Sequence, residues 1–190
     1  MNTIILEKMT SFEEMKVDIF SRLLQNRIIF IDDLINDRAA ADVIATLLVL
    51  DKDNQNKITI FINADGGDIR NVFAIFDAMQ ITTSVIETFC VGAGMHEAVL
   101  LLAAGTKGHR LISKNADICL SQITSNSMSY SDLTNTKISF DKSIKDNDTF
   151  LKELSKLIGK PIKTLKKDTE RQKYLTAQQA IKYGIADKMV

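Results

Sequence analysis

Apolar, β-branched runs alternating with helical periodicity constrain this chain more than any other feature. RIIFI (27–31), ITIFI (58–62), SVIETFCV (84–91) and ADICLS (116–121) read as strands, with HRLIS (109–113) as a further short one. DRAAADVIATLLVL (37–50), IRNVFAIFDAMQ (69–80) and HEAVLLLAAG (96–105) lie between them, with apolar residues three and four apart, and read as helices. Strands separated by helices of about 10 to 15 residues imply parallel βαβ units, and so an α/β fold. Ser11 with Glu14 forms a candidate capping box that opens a short helix carrying Ile19, Phe20, Leu23 and Leu24. At the other end, Ser131–Leu157 reads as a long polar-rich helix. Two short helices follow, over Ile162–Lys167 and Ala177–Tyr183, the second ended by Gly184.

The chain has 190 residues, enough for one domain with a sizeable core, and no linker or repeat divides it. Lys+Arg and Asp+Glu both number 24, so charge gives no argument for a nucleic acid or an anionic membrane as partner. No apolar run approaches the roughly 20 residues of a spanning helix. The start, MNTIILEKMTSFEE, lacks a basic lead and a small-residue cleavage site, so it does not read as a secretory signal. Cys90 and Cys119 sit in apolar strand-like runs and read as core thiols of a reducing compartment, which makes a cytoplasmic protein the expectation.

Five separated segments, in order, carry a resemblance to a known family. They are DIFSRLLQNRIIF (18–30), FINADGGDI (61–69), FCVGAGMHEAVLLLAAGTKGHR (89–110), ADICLSQ (116–122) and KKDTERQKYL (166–175), the last running into YLTAQQAIKYGIADKMV (174–190). Together they resemble the proteolytic subunit of the Clp protease, ClpP, with its YINSPGGxI, CxGxAASMGAxLLAAGxKGKR, xIMIHQP and ERDTERDxxL patterns. The resemblance implies a single domain over 1–190 of the ClpP/crotonase type. Such a fold has repeated ββα units and a protruding strand-helix handle, here about 123–157.

The same resemblance implies a serine-peptidase site with two side chains exchanged. His96 stands where the family has its nucleophilic Ser, and Ser121 where it has its His. Asp168, in KKDTERQKYL, is taken as the third triad member. The backbone N–H groups of Gly67 and Glu97 fall on the oxyanion-hole positions. Glu97 replaces a Met there, and a carboxylate near a developing oxyanion opposes it unless it points away. Ser121 attacking from its own position would lie displaced from those donors, with Asp168 no longer behind the imidazole. Taken one by one, each residue also has an ordinary structural reading. His96 can be a satisfied histidine at a helix start, Ser121 a hydroxyl bonded to backbone, and Asp168 a partner of Lys166, Lys167 or Arg171. His109, in the KGHR turn, reads as solvated. His96 with Asp168 offers too few ligands for a metal, and no phosphate-binding loop is present, so no cofactor is expected.

Three functional readings follow. The first is a catalytically defective subunit of an ATP-dependent Clp complex, resembling the inactive ClpR-type subunits. It would fill ring positions beside itself or active ClpP subunits and act near polypeptide substrates. The second is an unconventional peptidase using Ser121, His96 and Asp168. The third is crotonase-like acyl chemistry at the oxyanion loop. The resemblance also implies docking of a separate Clp-type ATPase at an apolar hollow, to which Phe61, Phe89, Val91 and Leu111 correspond. Thr59 and Ser113 make that hollow more polar. Ring-to-ring contact is expected through Thr124–Asp132 as an extended strand, together with the helix after it.

Overall fold

The computed structural model describes residues 4–10, 13–124 and 132–190. Strands β1 (Ile4–Thr10) and β2 (Glu13–Asp18) pair antiparallel, with Lys8 opposite Glu14. The capping box expected at Ser11 and Glu14 therefore does not open a helix. Ser11 lies outside the described residues and Glu14 is in β2. The helix that carries Ile19, Phe20, Leu23 and Leu24 is α1 (Ile19–Gln25), and Asp18 caps it by accepting from the N–H groups of Phe20 and Ser21. Strand pairing upstream thus moves the helix start to the first residue that can serve as an N-cap beyond the hairpin.

The main sheet takes up the apolar runs. Strands β3 (Ile28–Ile35), β4 (Ile58–Gly67) and β5 (Ile86–Met95) lie side by side in parallel, and β6 (Arg110–Ile112) and β9 (Lys188–Met189) continue that order. Helices α2 (Asp37–Asp53), α3 (Ile69–Ile81) and α4 (Ala98–Ala103) form the crossovers. Their buried faces, with Leu47, Val72, Ile75, Leu100 and Leu101, meet Ile58, Ile60 and Ile62 in one continuous core. Cys90 and Cys119 are free and buried, and burial pushes the Cys90 thiol up to about 12.

Strand β5 changes neighbour half-way. Thr88–Cys90 pair with β6, whereas Ala93–Met95 pair with β7 (Asp117–Leu120), which pairs on its other side with antiparallel β8 (Lys173–Thr176). The switch falls at Gly92, whose φ of 84° is left-handed. There is no room for a side chain there, because a Cβ would lie 2.4 Å from Asn63 Oδ1. Splitting the sheet brings the ends of β5 and β7 together at its carboxyl edge, where α/β sheets bind ligands.

The C-terminal part matches its expected helices closely: α5 (Leu133–Ile158), α6 (Ile162–Asp168) and α7 (Ala177–Tyr183). Gly159 and Gly184 cap α5 and α7 in left-handed conformations. Thr176 and Gln179 form a capping box at the start of α7. Of the strand expected over Thr124–Asp132, residues 125–131 lie outside the described ones, and Thr124 itself is in no strand. No helix among the described residues is long and apolar enough to cross a membrane.

Candidate active site

The chain just beyond the carboxyl ends of β5 and β7 lines a cleft of about 580 Å³. Its walls are His96, Ser121–Thr124 and Thr169–Gln172. His96 does not sit in the first turn of α4, as the helical reading of HEAVLLLAAG would place it. It lies on the turn between β5 and α4, with a left-handed φ of 51°. Its N–H donates to the Cys119 carbonyl at 2.9 Å, which fastens the turn to β7. A non-glycine residue held in that region stores strain, and such strain concentrates where a side chain must be presented at a fixed angle.

The structure brings His96 and Ser121 together. Nδ1 of His96 lies 2.6 Å from the Ser121 Oγ, and that hydroxyl is 2.8 Å from the Gln122 carbonyl. A carbonyl only accepts, so both bonds form together only when Nδ1–H donates to Oγ and Oγ–H donates to Gln122. In that arrangement Nε2 carries the free lone pair of the imidazole. Ser121 is 9% exposed and His96 is half-buried.

Asp168 is not brought to that pair. It ends α6, and its two oxygens are taken elsewhere: Tyr183 Oη–H donates to Oδ2 at 2.7 Å, and Lys173 Nζ pairs with Oδ1 at 2.7 Å. Hydrogen bonds from Lys173 first, then Tyr183, hold its carboxyl below the usual range. Burial, followed by the bond to Asp168, pushes the Tyr183 phenol up. Nor does Asp168 pair with Lys166, Lys167 or Arg171, the partners suggested by sequence proximity; Lys166 instead meets Asp148 at 2.7 Å. A helix end turns the side chain at 168 away from its sequence neighbours. The residues of this segment that do line the cleft are Thr169, Glu170, Arg171 and Gln172. The ERDTERDxxL pattern holds two Asp positions; the first falls on Asp168 and the second on Gln172. Reading that second position would have singled out Gln172 from sequence alone.

The oxyanion loop is intact as backbone. Gly66 has a φ of 99° and Gly67 packs so closely on β3 that a Cβ would lie 2.4 Å from the Ile35 carbonyl oxygen. Both glycines are therefore required by the path. The Gly67 N–H, however, points at the Glu97 carboxylate, 3.3 Å from Oε2. The other oxygen, Oε1, accepts from Thr124 N–H at 2.6 Å and from Thr124 Oγ1 at 3.1 Å. Glu97 is 1% exposed. Its side chain thus points into the loop, where its two oxygens accept from Gly67 on one side and Thr124 on the other.

The second expected surface is on the outer face of the sheet. Phe30, Phe61, Phe89 and Leu111 stand in register on β3, β4, β5 and β6. Phe30 stacks on Phe61 at 5.0 Å between centroids, Phe61 meets Phe89 at 5.1 Å, and Phe20 of α1 meets Phe30 edge-on at 6.3 Å. Val91 is half-buried on the same stretch of β5 and lines a hollow of about 440 Å³ with Phe20, Leu23 and Phe30. Phe20 and Phe30 are absent from the sequence-based set, although the register of β3 beside β4 would have given Phe30. Thr59 and Glu87 are cross-strand partners at the edge of this row, and Glu87 also holds Lys57 at 2.8 Å, with half-exposed His109 Nδ1 at 3.8 Å. Among the described residues, no group of three His, Cys, Asp or Glu side chains is placed to hold a metal ion.

A comparison with protein families matches residues 11–190 to the Clp protease family. The chain belongs to the Clp protease family. The match covers the main sheet, the cleft and all of the C-terminal helices.

Proposed function

We propose that this Clp family chain is a ring subunit that does not itself hydrolyse peptides, in the manner of the inactive ClpR-type subunits. The observation that carries the reading is the state of the exchanged pair. The Ser121 hydroxyl is committed to the Gln122 carbonyl while His96 Nδ1 donates to it, so the imidazole is not placed to take the hydroxyl proton. Two further features point the same way. Asp168 is bound to Tyr183 and Lys173 and cannot orient the imidazole from behind. The Gly67 donor faces a carboxylate, and like-charge repulsion at that distance opposes a tetrahedral oxyanion.

The role that remains is structural or regulatory within rings of this chain alone or with active subunits. Leu133, Phe140 and Ile144 expose an apolar line on α5, and Ile138 is exposed on another side of it, which suits ring-to-ring contacts along the handle. The row Phe30, Phe61, Phe89 and Leu111 suits docking of a Clp-type ATPase, with the Glu87 cluster narrowing which partner fits. A reducing cytoplasm agrees with two buried free thiols. The purified protein should neither cleave fluorogenic peptides nor be labelled at Ser121 by fluorophosphonate probes. Stoichiometric labelling there would sink the reading.

A second reading is favoured by one distance. The 2.6 Å contact between His96 Nδ1 and Ser121 Oγ lies within nucleophile–base range. A serine-type peptidase with the pair exchanged would therefore show up in the same labelling experiment, with loss of the label in Ser121→Ala.

A further inference from the structure

Glu97 is a buried carboxylate whose partners come from two separate segments. One is the Gly67 N–H at the end of β4, and the other is the N–H and hydroxyl of Thr124, three residues beyond Ser121. All three donors are neutral, so dipoles rather than a cation partner the two oxygens, the arrangement used by backbone anion sites. The loop is shaped around it as well. A Cβ at Gly66 would lie 2.6 Å from Glu97 Oε2, so only glycine at that position leaves space for the carboxylate.

We propose that the backbone donors of Gly67 and Thr124 form a carboxylate-binding site that the chain fills with its own Glu97, closing the cleft to an added polypeptide strand. Backbone N–H groups at an open edge are what an extended peptide pairs with when it binds by strand addition. Here one side chain satisfies donors from two segments, Thr124 on the cleft wall and Gly67 at the end of β4, and ties them together. Only the word polypeptide rests on the family reading given above; the carboxylate site stands without it.

The test uses the full chain and reads amide hydrogen exchange at Gly67 and Thr124. Glu97→Ala removes the CH2–COO⁻ fragment, for which free acetate is the chemical replacement. Exchange at both amides should quicken about ten-fold or more in that variant, as expected for loss of a hydrogen bond to a charged acceptor. Acetate should restore protection saturably, and chloride at equal ionic strength should not. A fluorescent ten-residue peptide with an amidated C-terminus should bind Glu97→Ala about ten-fold more tightly than the natural chain and be displaced by acetate. A folded Glu97→Ala variant whose two amides ignore acetate would overturn the proposal, as would equal peptide binding by both proteins.

Glu97→Gln supplies the answer if Glu97→Ala does not fold. Its carbonyl oxygen turns to the side with two donors, so Thr124 stays protected while Gly67 exchanges faster. Equal protection of both amides, or loss at both, counts against the site. These readouts are independent of hydrolysis. Labelling of Ser121 would remove the inactive-subunit reading and leave this one standing, while failure of acetate rescue would do the reverse.

Discussion

Replacing Asp168 by Asn separates a catalytic from a structural role for this carboxylate. In the structure it accepts from Tyr183, a residue only 9% exposed, and pairs with Lys173, whose side chain is 38% exposed. A hydrogen bond to a charged acceptor is worth about 1.5–3 kcal/mol against roughly 1 for a neutral one, so the Tyr183 bond weakens by about 1 kcal/mol. The Lys173 pair is partly solvated and contributes about 0.5 kcal/mol after screening. The sum, about 1.5 kcal/mol, corresponds to a Tm roughly 3–6 °C lower for a chain of this size. Because the folded carboxyl lies below its ordinary pKa, its contribution is complete above that ordinary value and fades as pH falls through the folded one. Asp168→Asn should therefore lose stability near neutral pH and converge with the natural chain in acid. Tyr183 should also ionise at lower pH in the variant, which ultraviolet titration reads by difference against Tyr183→Phe. Carbethoxylation of His96 by diethyl pyrocarbonate should keep its rate. An unchanged melting curve together with an altered rate at His96 would refute this placement of Asp168.

Three further outcomes are expected. The double exchange His96→Ser with Ser121→His should give at most partial peptidase activity, and adding Glu97→Met should raise it, because the carboxylate no longer faces the Gly67 donor; wild-type family turnover without the third change would show that Glu97 is harmless. Asp187, held down to about 2 by Arg110, with two backbone N–H groups assisting, contributes roughly 2 kcal/mol above its ordinary value of about 4. That stability should fade between about pH 4 and pH 2, and Asp187→Asn should flatten the acid limb of a urea-melt series. Charging Ile138, Phe140 and Ile144 together should leave a folded species of lower mass in analytical ultracentrifugation, whereas a monomer for the unmodified chain, alone and mixed with an active subunit, would remove the ring role.

Legibility of the fold follows how local its causes are. Ile58–Ile62 and Asp37–Leu50 announce themselves because strand and helix periods depend only on neighbouring residues. The capping pattern at Ser11 and Glu14 misled because a hairpin partner ten or fewer residues upstream outweighs a local cap worth about 1 kcal/mol. At the cleft, the approach of His96 and Ser121 followed from the family alignment, since β5 and β7 are adjacent there. The direction of the Asp168 side chain did not follow, because it depends on Tyr183 and Lys173, which arrive from later elements. Nor did Glu97. A sequence identifies a carboxylate beside a Gly-Gly loop, but the Thr124 donors that draw it inward are set by where the chain leaves β7.

The altered residues are therefore coupled rather than independent losses. With His96 on the strained turn, an imidazole must be accommodated where the family has a hydroxyl, and Ser121 Oγ accepts a hydrogen bond from its Nδ1–H. If the proposed inactive reading holds, the Gly67 donor has no oxyanion to serve, and a buried unpaired N–H would cost about 1–3 kcal/mol. Glu97 satisfies that donor and the Thr124 pair at once, which makes the loop part of a structural tie. Restoring chemistry then requires breaking a stabilising contact as well as replacing residues. Each reversion at 96, 97 or 121 alone should cost stability, and their effects should be non-additive when combined.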